Sequence, residues 1–248
     1  MKHLFKLHLD NLARVKQPVN LVKNADGASL YIYDVISADW GVGAAQVIEA
    51  ITLAEIGNAK TLNVYINSPG GDVFEGRAIM AAIDRFPGKT VAHIDSLCAS
   101  AATSIALACN EVRMSQGALF MIHNASGFAW GDKQDLRDTA DLLQKIEVSI
   151  VKDYTDKTGK PDTEIVALMD AETWFTADEA LANGFIDNVA EAKAKTKNTW
   201  NLAAYKNAPR PDPEATPTVI PDPIAEPAPE AGFFMSVANA NRLRATQI

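Results

Sequence analysis

Tyr65-Ile-Asn-Ser-Pro-Gly-Gly-Asp72 is the stretch whose reading decides the fold. Residues 61 to 66, Thr-Leu-Asn-Val-Tyr-Ile, are β-branched and aromatic and read as a strand. Asn67 to Asp72 is a turn built on Pro69-Gly70-Gly71. Val73 to Phe86 then has helical spacing, with Ile79, Ala82 and Ile83 on its inner face and Pro87-Gly88 as its stop. A strand that passes through a glycine turn into a helix is half of a βαβ unit.

Working outward, the same unit recurs. Upstream, Ser29 to Ile36 reads as a strand. Ala44 to Ile56 reads as a helix with Val47, Ile48, Ile51 and Leu53 or Ala54 at helical steps, closed by Gly57-Asn58. Short joints between strand, helix and strand demand parallel pairing and a right-handed crossover. Downstream, Thr90 to Ile94 reads as a strand. Ala99 to Ala108, small and apolar all round, reads as a buried helix. Glu111–Met114 and Leu119–Ile122 read as short strands. Asp132 to Thr158 reads as a long helix carrying Leu136, Ala140, Leu143, Ile146, Ile150 and Tyr154, ended by Gly159 and Pro161. Pro161 to Met169 is a short helix, and Thr176-Ala-Asp-Glu179 is a capping box opening another that closes at Asn183-Gly184. Residues 1–28 give weak signals. The alternation predicts an α/β fold of stacked βαβ repeats.

Bulk properties narrow the function. The chain has 248 residues, 48% of them apolar, enough for one substantial core. A net charge of −8 argues against nucleic-acid binding. With no apolar run of about 18 residues and no apolar stretch after the basic start of the N-terminus, neither a membrane span nor a signal peptide is expected, and the location expected is cytoplasmic. Cys98 and Cys109 lack metal spacing and read as buried reduced thiols; no metal or other cofactor is expected. Eight of the twelve prolines fall between Pro209 and Pro229, which predicts an extended, disordered, polyproline-like linker. The expected organisation is an N-terminal segment (1–28), a catalytic domain (29–195), a Pro-rich linker (196–231) and an apolar, then basic tip (232–248).

The candidate chemistry centres on Ala99-Ser100-Ala101-Ala102, where Ser100 follows Gly71 by 29 residues. A serine at a helix start is commonly an N-cap. Small flanking residues, however, let a substrate carbonyl approach this one. Of the histidines, His3 and His8 lie in the weakly patterned N-terminus, and His93 sits mid-strand and reads as a packed core residue. His123 follows the Phe120-Met-Ile122 strand, where reacting groups collect in α/β sheets. Ser100 and His123 are therefore the expected nucleophile and general base. Asp170, Glu172, Asp178 and Asp187 are candidate orienters of the base; Asp178 and Glu179 are better spent on the helix start at Thr176. The Gly71 and Ala101 N–H groups are candidates for an oxyanion site. The turn lacks dinucleotide and Walker spacings.

Ile66-Asn-Ser-Pro-Gly-Gly71, Ala99-Ser100, Met121-Ile-His123 and Glu179-Ala-Leu-Ala-Asn-Gly-Phe-Ile-Asp187 together resemble the Clp protease proteolytic subunit, in that family's order and near-spacing, over roughly residues 29–190. The Glu172-Thr-Trp-Phe-Thr176 variant and the Pro-rich tail resemble the Clp-related head maturation proteases of tailed phages. The resemblance implies a crotonase-like domain of repeated ββα units and a serine endopeptidase in which Ser100 is the nucleophile, His123 the base, and Gly71 and Ala101 the oxyanion donors. It implies that Glu172 stands at the position of the third triad member, with Asp170 as the fallback. It further implies a homo-oligomeric ring, seven-fold in the family, acting on capsid or scaffold protein in the host cytoplasm or within assembling heads, with or without a partner ATPase. Ala171 replaces the family's ring-contact arginine, Asn124-Ala125 stands where a proline is usual, and Ser96 and Ala102 replace glycines near the nucleophile. Two rival readings are a non-proteolytic crotonase-like thioester enzyme and an inert scaffolding ring.

Overall fold

The structure is a computed structural model that describes residues 2–14, 19–24, 27–190 and 200–209. Its parallel strands are β2 (Gly27–Ile32), β3 (Thr61–Ser68), β4 (Lys89–Ala99) and β5 (Glu111–Ser115), which pair in that order. β1 (Asn20–Asn24) adds antiparallel to β2, and β8 (Asn188–Ala190) adds parallel to β5. The helices α2 (Ala44–Ile56), α3 (Val73–Asp84) and α4 (Ala101–Leu107) make the crossovers between parallel strands. In β3, Leu62, Val64, Ile66 and Ser68 are buried in strict alternation, the period-two signature of a strand with one face on a core. Asp72 ends the turn as the N-cap of α3, its carboxylate accepting from the N–H groups of Phe74 and Glu75.

β4 is longer than the sequence predicts. Its first half, Val91 to Ile94, pairs with β5; its second half, Leu97 to Ala99, pairs with β6 (Leu119–Ile122). The strand read from the sequence stops at Ile94, yet it runs on through Asp95 and Ser96 because Leu97, Cys98 and Ala99 are all buried. The expected helix at Ala99 consequently starts at Ala101. A further strand, β7 (Thr173–Thr176), was expected to be loop; it pairs antiparallel with β6. Only Phe175 among its four residues is buried, so it carries little periodic signal. Likewise α1 (Lys2–Asp10) and β1 lie where the sequence is uninformative.

Alternation along β4 and β6 divides the interior in two. Cys98, Phe120 and Ile122 face the main core under α2 to α4. Leu97, Ala99 and Met121 face a second core that also contains Leu7 of α1, Val35, Trp200, Leu202 and Tyr205. This corrects the expected boundary of the linker: residues 200–208 are packed against the domain. The prolines from Pro211 onward and the 232–248 tip lie outside the described residues. The expected long helix is α5 (Lys133–Thr158), ended by Gly159 in the left-handed conformation. Its buried residues are Ile150, Val151 and Tyr154, all in its second half, while Leu136, Leu142 and Val148 stand exposed. α6 (Asp162–Asp170) and α7 (Ala177–Ala182) complete the fold. Both cysteines are free and buried; burial raises the Cys98 thiol well above its ordinary pKa and pushes Cys109 up to about 12. Among the described residues no helix is long and apolar enough to cross a membrane.

Candidate active site

Ser100 lies between the end of β4 and the start of α4, with φ 54° and ψ −127°. A non-glycine residue there is strained, at a cost of about 1–3 kcal/mol. The conformation is held from both sides. The Ser100 N–H donates to the Met121 carbonyl at 2.9 Å, and the Ser100 carbonyl accepts from the N–H of Thr103 at 2.9 Å and from its hydroxyl at 2.6 Å. The Thr103 hydroxyl in turn bonds the buried Tyr154 hydroxyl of α5 at 2.6 Å. Although Ser100 occupies the N-cap position, its side chain caps nothing. It is turned instead toward His123, whose Nε2 lies 2.8 Å from the serine Oγ. Such a sharp strand-to-helix turn is one way to expose a serine hydroxyl.

His123 directly follows β6, whose pairing with β4 brings the histidine beside the Ser100 turn. The other histidines with described side chains are elsewhere. His93 Nε2 bonds Asn63 Oδ1 at 2.9 Å and its ring stacks on Tyr65; burial first, then the Arg113 charge, lower its pKa. His8 stacks on Trp40.

The glycine turn lies against the same serine. Ile36 binds it as a short parallel bridge, donating to the Gly70 carbonyl at 2.9 Å and accepting from Asp72 N–H at 2.8 Å. Gly70, at φ 87°, has no room for a side chain: a Cβ would meet the Ala99 carbonyl oxygen at 2.5 Å. Neither the Gly71 nor the Ala101 N–H donates to a protein acceptor among the described residues. Ala101 owes this to its place in the first turn of a helix. Both residues line one cavity of about 250 Å³ with Ser100 and His123, walled further by Phe128, Leu143 and Ile146.

The acidic candidates separate clearly. Thr173 pairs with Ile122 at the end of the ladder, so Glu172, at φ 48°, directly precedes β7 where His123 directly follows β6. The Glu172 carboxylate accepts from Trp174 Nε1 at 3.3 Å, from Lys206 N–H at 3.0 Å and from Asn207 N–H at 2.7 Å. Asp170 accepts from the Asn124 side chain at 2.7 Å. Asp187 is held by Lys157 and the Val112 N–H, and Asp178 by Gln116.

One residue of the site was missed from the sequence. Tyr205, assigned to the linker, is buried against the pair. Its hydroxyl donates to the Pro69 carbonyl, its ring meets the His123 ring edge-on at a centroid distance of 5.4 Å, and it lines the same cavity as Ser100. Burial raises its pKa. The available signal was the presence of Trp200, Leu202 and Tyr205, three large apolar residues ahead of the proline run.

A parallel sheet whose central strand is shared between two pairings, with crossover helices over one face, defines a mixed α/β protein of the Clp-protease type of fold. The family model described as Clp protease matches residues 27–193. The chain therefore belongs to the Clp protease family, a family of serine peptidases. It is 34% identical over 145 residues to the ATP-dependent Clp protease proteolytic subunit 2 of Thermobifida fusca, covering 57% of this chain and 70% of that one. It is 28% identical over 179 residues to proteolytic subunit 1 of Protochlamydia amoebophila, covering 70% and 85%. Among solved structures, a ClpP1 mutant from Listeria monocytogenes is similar in fold, with a TM-score of 0.59 at 22% identity over 66% of this chain and 92% of that one.

Proposed function

We propose that this proteolytic subunit is a serine endopeptidase working through Ser100 and His123. The observation that carries the reading is the 2.8 Å approach of His123 Nε2 to an uncapped serine hydroxyl. In the proposed reaction His123 takes the Ser100 proton as Oγ attacks a peptide carbonyl. The Gly71 and Ala101 N–H groups hold the developing oxyanion. His123 gives its proton to the leaving amine, and water repeats the sequence in reverse to release the acyl-enzyme. Glu172 is the proposed orienting acid, supported by its place next to the Thr173–Ile122 pair that His123 follows, with Asp170 as the alternative.

The proposed assembly is a homo-oligomeric ring, seven-fold as the resemblance implies. Support comes from Leu136, Leu142 and Val148 of α5, which are exposed, and from the exposed Phe128 and Trp130 in the preceding segment. The proposed substrates are capsid or scaffold proteins during phage head maturation, a reading supported by the Glu172–Thr176 variant and the Pro-rich tail. A partner ATPase is a separate proposal, in line with the term ATP-dependent in the names of its relatives. An alkyl fluorophosphonate should add its mass to the wild type and not to Ser100→Ala. A protein that cleaves co-expressed capsid substrate equally well as Ser100→Ala would refute the assignment.

A further inference from the structure

Two residues of the candidate site adopt the left-handed region without being glycine. Ser100 is one; Glu172, at φ 48°, is the other. A side chain there is strained, and such a conformation persists only where neighbours fix it. Ser100 is fixed from within the domain, by Met121 and Thr103. Glu172 is bonded to residues 206 and 207, which lie beyond the family match at 27–193.

These two residues end a strap, 200–207, that is tied to the domain along its length. At its start, Trp200 Nε1 donates to Asn67 Oδ1 at 2.9 Å, and Asn11 and Asn201 exchange hydrogen bonds at 2.9 and 3.0 Å. Trp200, Leu202 and Tyr205 are buried in the second core. At its end, Asn207 holds Glu172 at two points. Its backbone N–H donates to Glu172 Oε1 at 2.7 Å, and its side chain donates at 2.8 Å to the carbonyl of Ala171, the peptide just before Glu172. Lys206 N–H donates to Oε2 at 3.0 Å, and Trp174 Nε1 to Oε1 at 3.3 Å.

The bonds fix both the backbone and the side chain of a residue that could otherwise vary. A glutamate has one more rotatable bond than an aspartate, and so more freedom to lose. A carboxylate offers about four acceptor sites. The three donors leave Oε2 with capacity for an imidazole N–H. Freezing the acid in advance removes an ordering cost from the reaction.

We infer that Asn207 is a positioning residue: together with Lys206 it clamps Glu172, and the geometry of the acid is set by a segment outside the family match. The inference rests on the Ser100, His123 and Glu172 roles proposed above. Asn207 acts through Glu172 and not on substrate.

The test uses the full chain and an alkyl fluorophosphonate, following the intact mass with time, with denaturation midpoints measured on the same samples. Asn207 is exposed, so Asn207→Ala removes its side-chain bond without opening the core. It should slow labelling of Ser100 by about two- to tenfold, the size of one net hydrogen bond. Glu172→Ala should slow it as well. In the double variant the Asn207 effect should vanish, to within about twofold of Glu172→Ala alone. A general loosening of the fold would slow labelling by the same factor in either background. An unchanged rate for Asn207→Ala, or equal slowing in both backgrounds, overturns the clamp and leaves Glu172 as the acid. A wild-type rate for Glu172→Ala overturns the Glu172 role and the clamp with it, and leaves Ser100 and His123 in place. Absence of labelling in the wild type overturns all three roles and the clamp.

Discussion

A Cβ built on Gly70 would lie 2.7 Å from the Cβ of Ser100, closer than two such carbons can stand. The glycine turn and the serine turn are thus in contact at a point where any side chain on the first would displace the second. Gly70→Ala should destabilise the fold by roughly 2–4 kcal/mol, from positive φ together with overpacking. It should also abolish fluorophosphonate labelling even at temperatures where the variant remains folded. Denaturant melts and labelling rates on the same samples check this; normal labelling would show that the two turns move independently.

Ser100→Gly removes the side chain from a residue at φ 54°. Relief of strain should exceed the added freedom of the unfolded chain, and the variant should gain about 1 kcal/mol of stability while losing all activity. Ser100→Ala, which keeps a Cβ in the same conformation, should be inactive without that gain. Equal denaturation midpoints for the two variants would remove the case for stored strain.

Thr103 and Tyr154 share a buried hydrogen bond that supports the Ser100 carbonyl from below. Thr103→Val alone or Tyr154→Phe alone should cost about 1–3 kcal/mol, because each leaves a buried partner short. The double variant should cost less than the sum. A double-mutant cycle by equilibrium denaturation measures the coupling, and strict additivity would count against the bond.

His93 gives a prediction for pH. Its pKa is lowered in the fold, first by burial and then by Arg113, with Glu111 opposing. The folded state therefore favours the neutral imidazole. The associated stability is fully present above the unfolded histidine pKa of about 6.5 and is lost as pH falls through the lower folded value. Melting temperatures of wild type should drop on acidification below about pH 6.5 more steeply than those of His93→Gln. Parallel curves for the two proteins would dismiss His93 as the source.

The sequence was legible where local chemistry and tertiary role agree. α2 begins and ends where its spacing and Gly57 require, and the Thr176 capping box forms with Glu179 as read. Gly71, Ala101, Ser100 and His123 meet around one cavity because each sits at a strand or helix end that a βαβ repeat brings to one edge. Legibility failed where pairing overrides propensity. The spacing ends the strand at Ile94, but pairing with β5 before Asp95-Ser96 and with β6 after them holds β4 continuous. Trp200, Leu202 and Tyr205 carry no period of their own, and the core that buries them is assembled from residues as distant as Leu7 and Val35. The resemblance implies Glu172 at the position of the third triad member; its bonds to Lys206 and Asn207 depend on a segment that compositional reading assigns to the linker.

The bond from Tyr205 to Pro69 spans 136 residues of sequence. During synthesis the glycine turn, the serine turn and the β6 strand leave the ribosome long before Tyr205 does, and domains fold as their parts emerge. Ser100 and His123 are therefore made before the tyrosine that lines their cavity with them. Some eighty more residues are translated between His123 and Tyr205. Among the described residues, the bond that ties Tyr205 to the glycine turn is thus one of the latest long-range contacts to become available.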